Sequence, residues 1–401
     1  MKTRKMLLVA AMTAATAYCG KAAVPVWENP AINSINRLPA RTYTVPLADE
    51  SAAFTDELEF PSPYVMSLNG EWRFRWVGDP ARRAHGFEKL GFDDSSWGVI
   101  DVPSCVEMRG YGAPIYTNNR YPHKKAPPKI RDYVSGRSDN NPVSSYRRTF
   151  TLQESWKGRE TILRFEGVGS AFFVWINGRR AGYAEDSKLP SEFNITPYIR
   201  EDGTNLIAVQ VYKWCDGSYL EDQDMVRFSG IFRDVSLWSR PKNGMWDFEA
   251  KVKCKIENGK CQKAELSVAG IEGEWTATLY DAAQKPVGTF SNKQSSATIA
   301  NARLWSAEDP YLYTLVVKKG VDIRAKRIGF RDARIVGNRI LVNGMPVKFK
   351  GVNRHETSPE NGRTVTLEDM MRDILLMKRY NVNTVRTAHY PDHRLWYDQA
   401  L

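Results

Sequence analysis

The sequence predicts a mostly β chain, two β-sandwiches in succession followed by the opening of a parallel α/β domain. Three observations carry that prediction. From about Leu68 to Trp238 short apolar runs alternate with turns and show no helical period. Residues 241–332 repeat the style with fewer aromatics. After Asp332 the pattern changes to strand, helix, strand, helix.

Within the first sandwich, placed over 61–240, Asn177-Gly178 separates Phe173-Val-Trp-Ile176 from Arg179-Arg-Ala-Gly-Tyr183. Both turn positions tolerate positive φ, so a hairpin is expected there. Asn205-Leu-Ile-Ala-Val-Gln-Val211 reads as another strand. The second sandwich, 241–332, has an immunoglobulin-like size and strands at Lys263–Val268, Trp275–Tyr280 and Tyr313–Val317. A Pro-rich arm, 24–60, precedes both.

In 333–401, Ile340-Leu-Val342, Asn343-Gly344 and Val347–Lys350 predict a hairpin running into a strand. Thr366 caps a helix with Asp369 three positions on, and Leu367, Met370, Met371, Ile374 and Leu375 share one helical face. Asn383–His389 is the next strand and Leu395-Trp-Tyr397 opens the next helix. A closed (β/α)8 barrel takes about 250 residues, whereas about 70 follow Asp332. The expectation is an incomplete catalytic domain.

Residues 1–23 read as an export signal: a basic start through Lys5, an apolar run from Met6 to Ala17, then small residues. The run is too short for a membrane span, and Thr-Ala-Tyr before Cys19 makes a poor lipoprotein site. A periplasmic or extracellular protein is expected. Cys105, Cys215, Cys254 and Cys261 match no zinc spacing and no disulfide framework. Cys254 and Cys261 flank a turn at Glu257-Asn258-Gly259, where one bridge or two free thiols would fit. The net charge of +11 is scattered, and the basic run His123 to Arg137 is broken by Pro127-Pro128, so no nucleic-acid partner is expected.

Candidate chemistry gathers at strand ends. His355-Glu356 and His389-Tyr-Pro391 end the two parallel strands, at the carboxyl-terminal mouth where such barrels place active sites. Imidazoles there can hydrogen-bond substrate hydroxyls or be satisfied loop residues. Asp186, in Glu185–Phe193, can hold a cation or a sugar hydroxyl, or cap its loop. Asn118 suits a sugar hydroxyl or a plain turn. Asp216, Glu221, Asp222 and Asp224 form a dense acidic stretch without EF-hand spacing, expected as a hydrogen-bonded corner.

Taken together, Leu68–Phe74, Ala113–Asn118, Asp186–Phe193, Asp216–Met225, Ser229–Val235, Gly351–Glu356 and Arg386–Pro391 resemble the large β-galactosidases of glycoside hydrolase family 2. The resemblance spans residues 28–398 and implies a jelly-roll sugar-binding domain, an immunoglobulin-like domain and a TIM barrel. It implies retaining hydrolysis of terminal, non-reducing β-D-galactose. By the same resemblance Asn118, Asp186, His355 and His389 bind the galactoside, the two histidines stabilise the transition state, and Asp186 also meets a sodium ion. Magnesium and sodium are expected for the intact enzyme, which is expected to be a homo-oligomer.

Retention requires two carboxyls about 5–5.5 Å apart. In the family both are glutamates on later barrel strands, as are the main magnesium ligands, and no position here matches them. The end at Asp398-Gln-Ala-Leu401 is read as a truncation. The chain alone is therefore expected to be inactive; a galactoside-binding fragment and a non-functional remnant are the alternatives.

Overall fold

A computed structural model describes residues 24–132, 141–257 and 260–400. The export-signal segment, the Asn258-Gly259 turn, Leu401 and the end of the basic run lie outside the described residues.

The first sandwich stacks two antiparallel sheets. The larger has seven strands, in the spatial order 34–35, 179–184, 171–176, 205–212, 143–150, 70–77 and 98–102. The smaller has four, ordered 191–194, 160–165, 235–240 and 65–67. Period-two alternation sends Phe172, Val174, Ile176, Ile207, Val209 and Val211 inward to meet Leu163, Phe165, Phe193, Val235 and Leu237. Phe173, Trp175, Ala208 and Tyr212 face the other way. The expected hairpin forms with Asn177 at φ +51° and Gly178 at φ +82°. The Asn177 amide ties this turn to Tyr198 O, Asn205 Oδ1 and Leu206 N at 2.8–3.0 Å.

The second sandwich pairs a three-stranded sheet, 249–257, 260–269 and 296–299, with a four-stranded one. The latter is ordered 286–291, 276–280, 313–319 and 322–328. Leu266, Val268, Trp275, Leu279, Phe290, Leu315 and Phe330 fill its core. The arm wedges between the two sandwiches: Val45, Leu47 and Ala53 pack with Ile162 and Trp238 of the first and Val316 and Ala325 of the second. Arg41 of the arm grips Glu192 bidentately at 2.9 and 2.7 Å. Cys254 and Cys261 are free thiols, as are Cys105 and Cys215.

Beyond 332, strands 333–336, 339–342 and 345–346 form a small antiparallel sheet. Gly351–Arg354 then pairs in parallel with Thr384–Thr387, joined by the helix Leu367–Arg379 and followed by the helix Arg394–Ala400. The Thr366–Asp369 capping box forms as expected. One reading needs correction. Val347–Lys350 is not strand; the Asn383 side chain bonds Lys350 N and Lys348 O, satisfying backbone that a ladder would otherwise pair. The helical face is only partly covered: Met370 is buried, but Leu367 and Leu375 are exposed because the described residues put little against them. The architecture is mostly β, with a partial barrel and no closed one among the described residues.

Candidate functional site

Parallel pairing aligns Arg354 with Thr387, so the residues that follow both strands leave from the same end. His355 and His389 consequently lie side by side, with ring centroids 5.3 Å apart and planes at 75°. Arg354 holds the strand end in place by ion pairs to Asp373 (2.9 Å) and Asp392 (2.8 Å), and it stacks on Trp396. Burial, then the neighbouring His389, pushes the pKa of His355 down. His355 is therefore a neutral imidazole near neutrality, able to give or take one hydrogen bond. Arg386 Nη2 lies 3.3 Å from His389 Nδ1.

Glu356 is a different kind of residue. Its side chain is fully buried; Arg233 donates to it at 2.6 Å and His393 N at 2.5 Å. A carboxylate gripped in this way orients loops and cannot serve as an exposed nucleophile. The same Arg233 donates to Pro391 O at 2.8 Å and to Lys188 O at 2.9 Å. One guanidinium thus joins the His355 loop, the His389 loop and the Asp186 loop of the first sandwich. Arg233 lies within the Ser229–Val235 motif, where its place between Phe232 and Asp234 gives no local sign of this bridging role.

Asp186 follows the strand Arg179–Ala184 and sits at φ +82°. Glu221 fixes the loop beside it by accepting from Ser187 N (2.8 Å) and Ser187 Oγ (2.5 Å). Burial raises the pKa of the Asp186 carboxyl, Glu221 adds to the rise, and Arg37 and Lys188 oppose it. The buried Lys188 ammonium lies 5.7 Å from the Tyr390 ring and 6.0 Å from Phe232. Burial, reinforced by Arg363, pushes its pKa down to about 7. The cavity beneath it, bounded by Glu221, Arg227 and Arg363, is about 20 Å³ and too small for a sugar.

Asn118 is exposed at the end of strand Ile115–Thr117, which pairs with Met225–Arg227. On this ribbon Tyr116 donates to Asp224 at 2.7 Å, and Asp224 is one of the charges felt by His355. The structure therefore brings the two histidines together directly and Asp186 through its loop. Asn118 has no hydrogen bond to them among the described residues; it follows the ribbon beside which Asp224 accepts from Tyr116. Three of the four acids form a hydrogen-bonded corner, with Asp222 on Arg227, Asp224 on Tyr116 and Glu221 on Ser187, whereas Asp216 lies apart, beside Glu185 and Cys215.

The Asp186 carboxylate, with the acidic Glu221 near it and no ion pair of its own among the described residues, suits one oxygen ligand of a monovalent cation. Magnesium is harder to place. Glu185, Cys215 and Asp216 bring ligand atoms within 4.8 Å of one another. However, one of them is a buried thiol, and burial lifts Glu185 to about 8, where it holds a proton and accepts from Tyr183 Oη at 2.5 Å. A hard cation seeking several ionised oxygens does not fit that set.

Comparison with known proteins places the chain in one family. The models for the family 2 glycosyl hydrolases match in tandem: the sugar-binding domain over 65–241, the middle domain over 235–331 and the TIM-barrel domain over 333–400. The chain belongs to glycoside hydrolase family 2. It is 40% identical over 391 residues to a β-galactosidase of Halalkalibacterium halodurans, covering 91% of this chain and 37% of that protein. A β-glucuronidase from Ruminococcus gnavus superposes with a TM-score of 0.68 at 24% identity, over 85% of this chain and 58% of the other. A β-glucuronidase from an uncultured Clostridium gives 0.65 at 23%, over 84% and 56%. At such identities these two structures establish the fold alone. The chain spans well under two thirds of each of these relatives. No helix among the described residues is long and apolar enough to cross a membrane.

Proposed function

We propose that this chain forms the galactose-recognising part of a retaining β-galactosidase, acting on terminal, non-reducing β-D-galactose. The observation that carries the reading is the adjacency of His355 and His389 at one strand end, with the Asp186 loop joined to it by Arg233. The 40% identity to a β-galactosidase supports galactose as the sugar.

In this reading the neutral His355 and its neighbour His389 bond galactose hydroxyls and stabilise the charge that develops as the glycosidic bond breaks. Asp186 takes a further hydroxyl and is one ligand of a sodium ion, and Asn118 approaches from the Asp224 ribbon. Sodium, when bound, supplies positive charge that orients hydroxyls. The bond-breaking acid/base and nucleophile are carboxyls from outside these 401 residues, because Glu356 is locked by Arg233 and Glu185 holds Tyr183. Magnesium, when bound, needs oxygen ligands other than the Glu185, Cys215 and Asp216 set.

The test is calorimetry with galactose and a chromogenic galactoside assay on residues 24–401. Galactose binding without turnover is expected, weakened at least tenfold in His355→Ala and His389→Ala. Turnover that disappears with either variant would show that the present residues suffice. Preference for glucuronic acid over galactose would overturn the choice of sugar.

A further inference from the structure

A second cleft lies on the outward face of the seven-stranded sheet, away from the histidines. Two coverings shield most of that face. The arm packs Val26, Trp27 and Ile32 over Phe173, Tyr183 and Tyr212. The segment around Ala84, Phe87 and Trp97 packs over Ala208 and Trp175. Between them remains a cleft of about 280 Å³ lined by the exposed Arg180, the half-buried Trp175 and the buried Phe173, Gln210 and Tyr212, with Trp27 and residues 83–88 as walls.

The chemistry of the cleft is mixed in a specific way. Trp175 and Arg180 are cross-strand partners and share the outward face. Trp27 stacks on Tyr212 at 4.2 Å and Phe173 lies 5.8 Å from Trp175, so aromatic rings form part of the lining beside its polar groups. Gln210 is occupied, donating to Ala84 O and accepting from Tyr212 Oη. The side chains of Arg180, His85 and Glu88 have no hydrogen bond or ion pair among the described residues, yet all three line the cleft.

From this combination we infer that the cleft is a second carbohydrate site, holding one or two pyranose units of a neutral glycan with Trp175 against the sugar's C–H face and Arg180, His85 and Glu88 on its hydroxyls. Rings offer a flat apolar surface, and planar donors and acceptors beside them match the paired hydroxyls of a pyranose. An apolar peptide would desolvate the guanidinium and carboxylate without bonding them. The volume lies just below the ~300–1,000 Å³ of small-molecule pockets, enough for a short saccharide. The site is separate from the histidine mouth: Arg180 lies at the start of the strand Arg179–Ala184 and Asp186 beyond its other end, with about 13 Å of strand between Arg180 and Ala184. The inference goes beyond the proposed function, since it adds a place where a glycan is held while another of its ends is presented to the mouth, raising local concentration.

The test titrates the chain with lactose, cellotriose and glucuronic acid, using saturation-transfer NMR and tryptophan fluorescence. Binding of cellotriose, which offers no galactose to the mouth, is expected, reduced about tenfold in Arg180→Ala and in Trp175→Ala. Arg180 is exposed, so its variant stays informative if the tryptophan variant is damaged. Three results overturn the proposal: no saccharide bound, all binding lost with the histidines and none with Arg180, or glucuronic acid preferred to both neutral sugars. Because the cleft and mouth variants are separate, failure of either site is distinguishable from failure of the other.

Discussion

The two sandwiches and the α/β segment bury their apolar residues very differently. In the first sandwich Phe165, Val174, Phe193 and Leu237 are wholly buried between facing sheets. In the α/β segment Ile335 is 75% exposed, Met345 63%, Leu375 59% and Leu376 54%. A sandwich closes its core with its own two faces, whereas a parallel pair with one crossover helix has faces that only further strands and helices can cover. The difference shows where the α/β segment gets its order. It is held less by a core of its own than by buried guanidinium contacts at one end, chiefly those of Arg233, Arg354 and Arg363. That end carries the histidines, so the attachment and the site coincide.

The most direct way to break this arrangement is Arg233→Ala. Removing one partner of a buried ion pair strands the other, at a cost of about 3–5 kcal/mol. Because Arg233 also holds Lys188 O and Pro391 O, three loops are released together. Hydrogen exchange should accelerate across 351–393 while strands 171–176 and 205–212 stay protected. Equal acceleration in the sandwich would mean the two regions form one cooperative unit, and the contrast drawn above would fail.

Most of the fold was legible because its signals are local. The Asn177-Gly178 turn, the Thr366–Asp369 capping box and the change of period after Asp332 each follow from a few adjacent residues. The His355–His389 adjacency was also within reach, since parallel strands put both ends at one mouth. The bridging role of Arg233 was not. It depends on contacts 45, 123 and 158 residues away in sequence, which no local pattern encodes. The same holds for the arm: its Pro-rich irregularity was visible, but not that Val45 and Leu47 join two cores. The second cleft was illegible because it is a gap between coverings and has no motif.

A smaller effect separates the site's inner support from its mouth. Burial lifts Glu185 from 4.5 to about 8, so the folded chain holds a proton there that the unfolded chain has released. A carboxyl raised in this way contributes stability fully below about pH 4.5 and loses it as pH rises through 8. Glu185→Gln mimics the protonated form and can still accept from Tyr183. It should match the wild type near pH 4 and exceed it near pH 9 by about 1–2 kcal/mol, a figure reduced for the solvent that reaches Asp216. Lys188, pushed down from 10.5 to about 7, works the opposite way, losing stability as pH falls from 10.5. It is common to both proteins and cancels in their difference. Thermal melts of the pair across pH 4–9 measure the effect; a difference that does not grow with pH would show that Glu185 ionises normally.

The smallest expected effect tests whether the α/β segment has any stability of its own. In the capping box Thr366 Oγ1 accepts from Asp369 N at 3.1 Å and the Asp369 carboxylate accepts from Thr366 N at 3.0 Å. Thr366→Ala removes half of that exchange, a loss of about 1 kcal/mol of helix stability. Were the helix 367–379 an independently packed element, the loss would appear throughout the parallel pair. With Leu375 and Leu376 open to solvent, the helix has little packing to transmit it. Exchange should therefore quicken in the first turns of the helix and remain unchanged at 351–354 and 384–387, whose ends are anchored by Arg354 and Arg233. Spread of the effect to those strands would place the stabilising contacts in the helix rather than at the guanidinium-bound end.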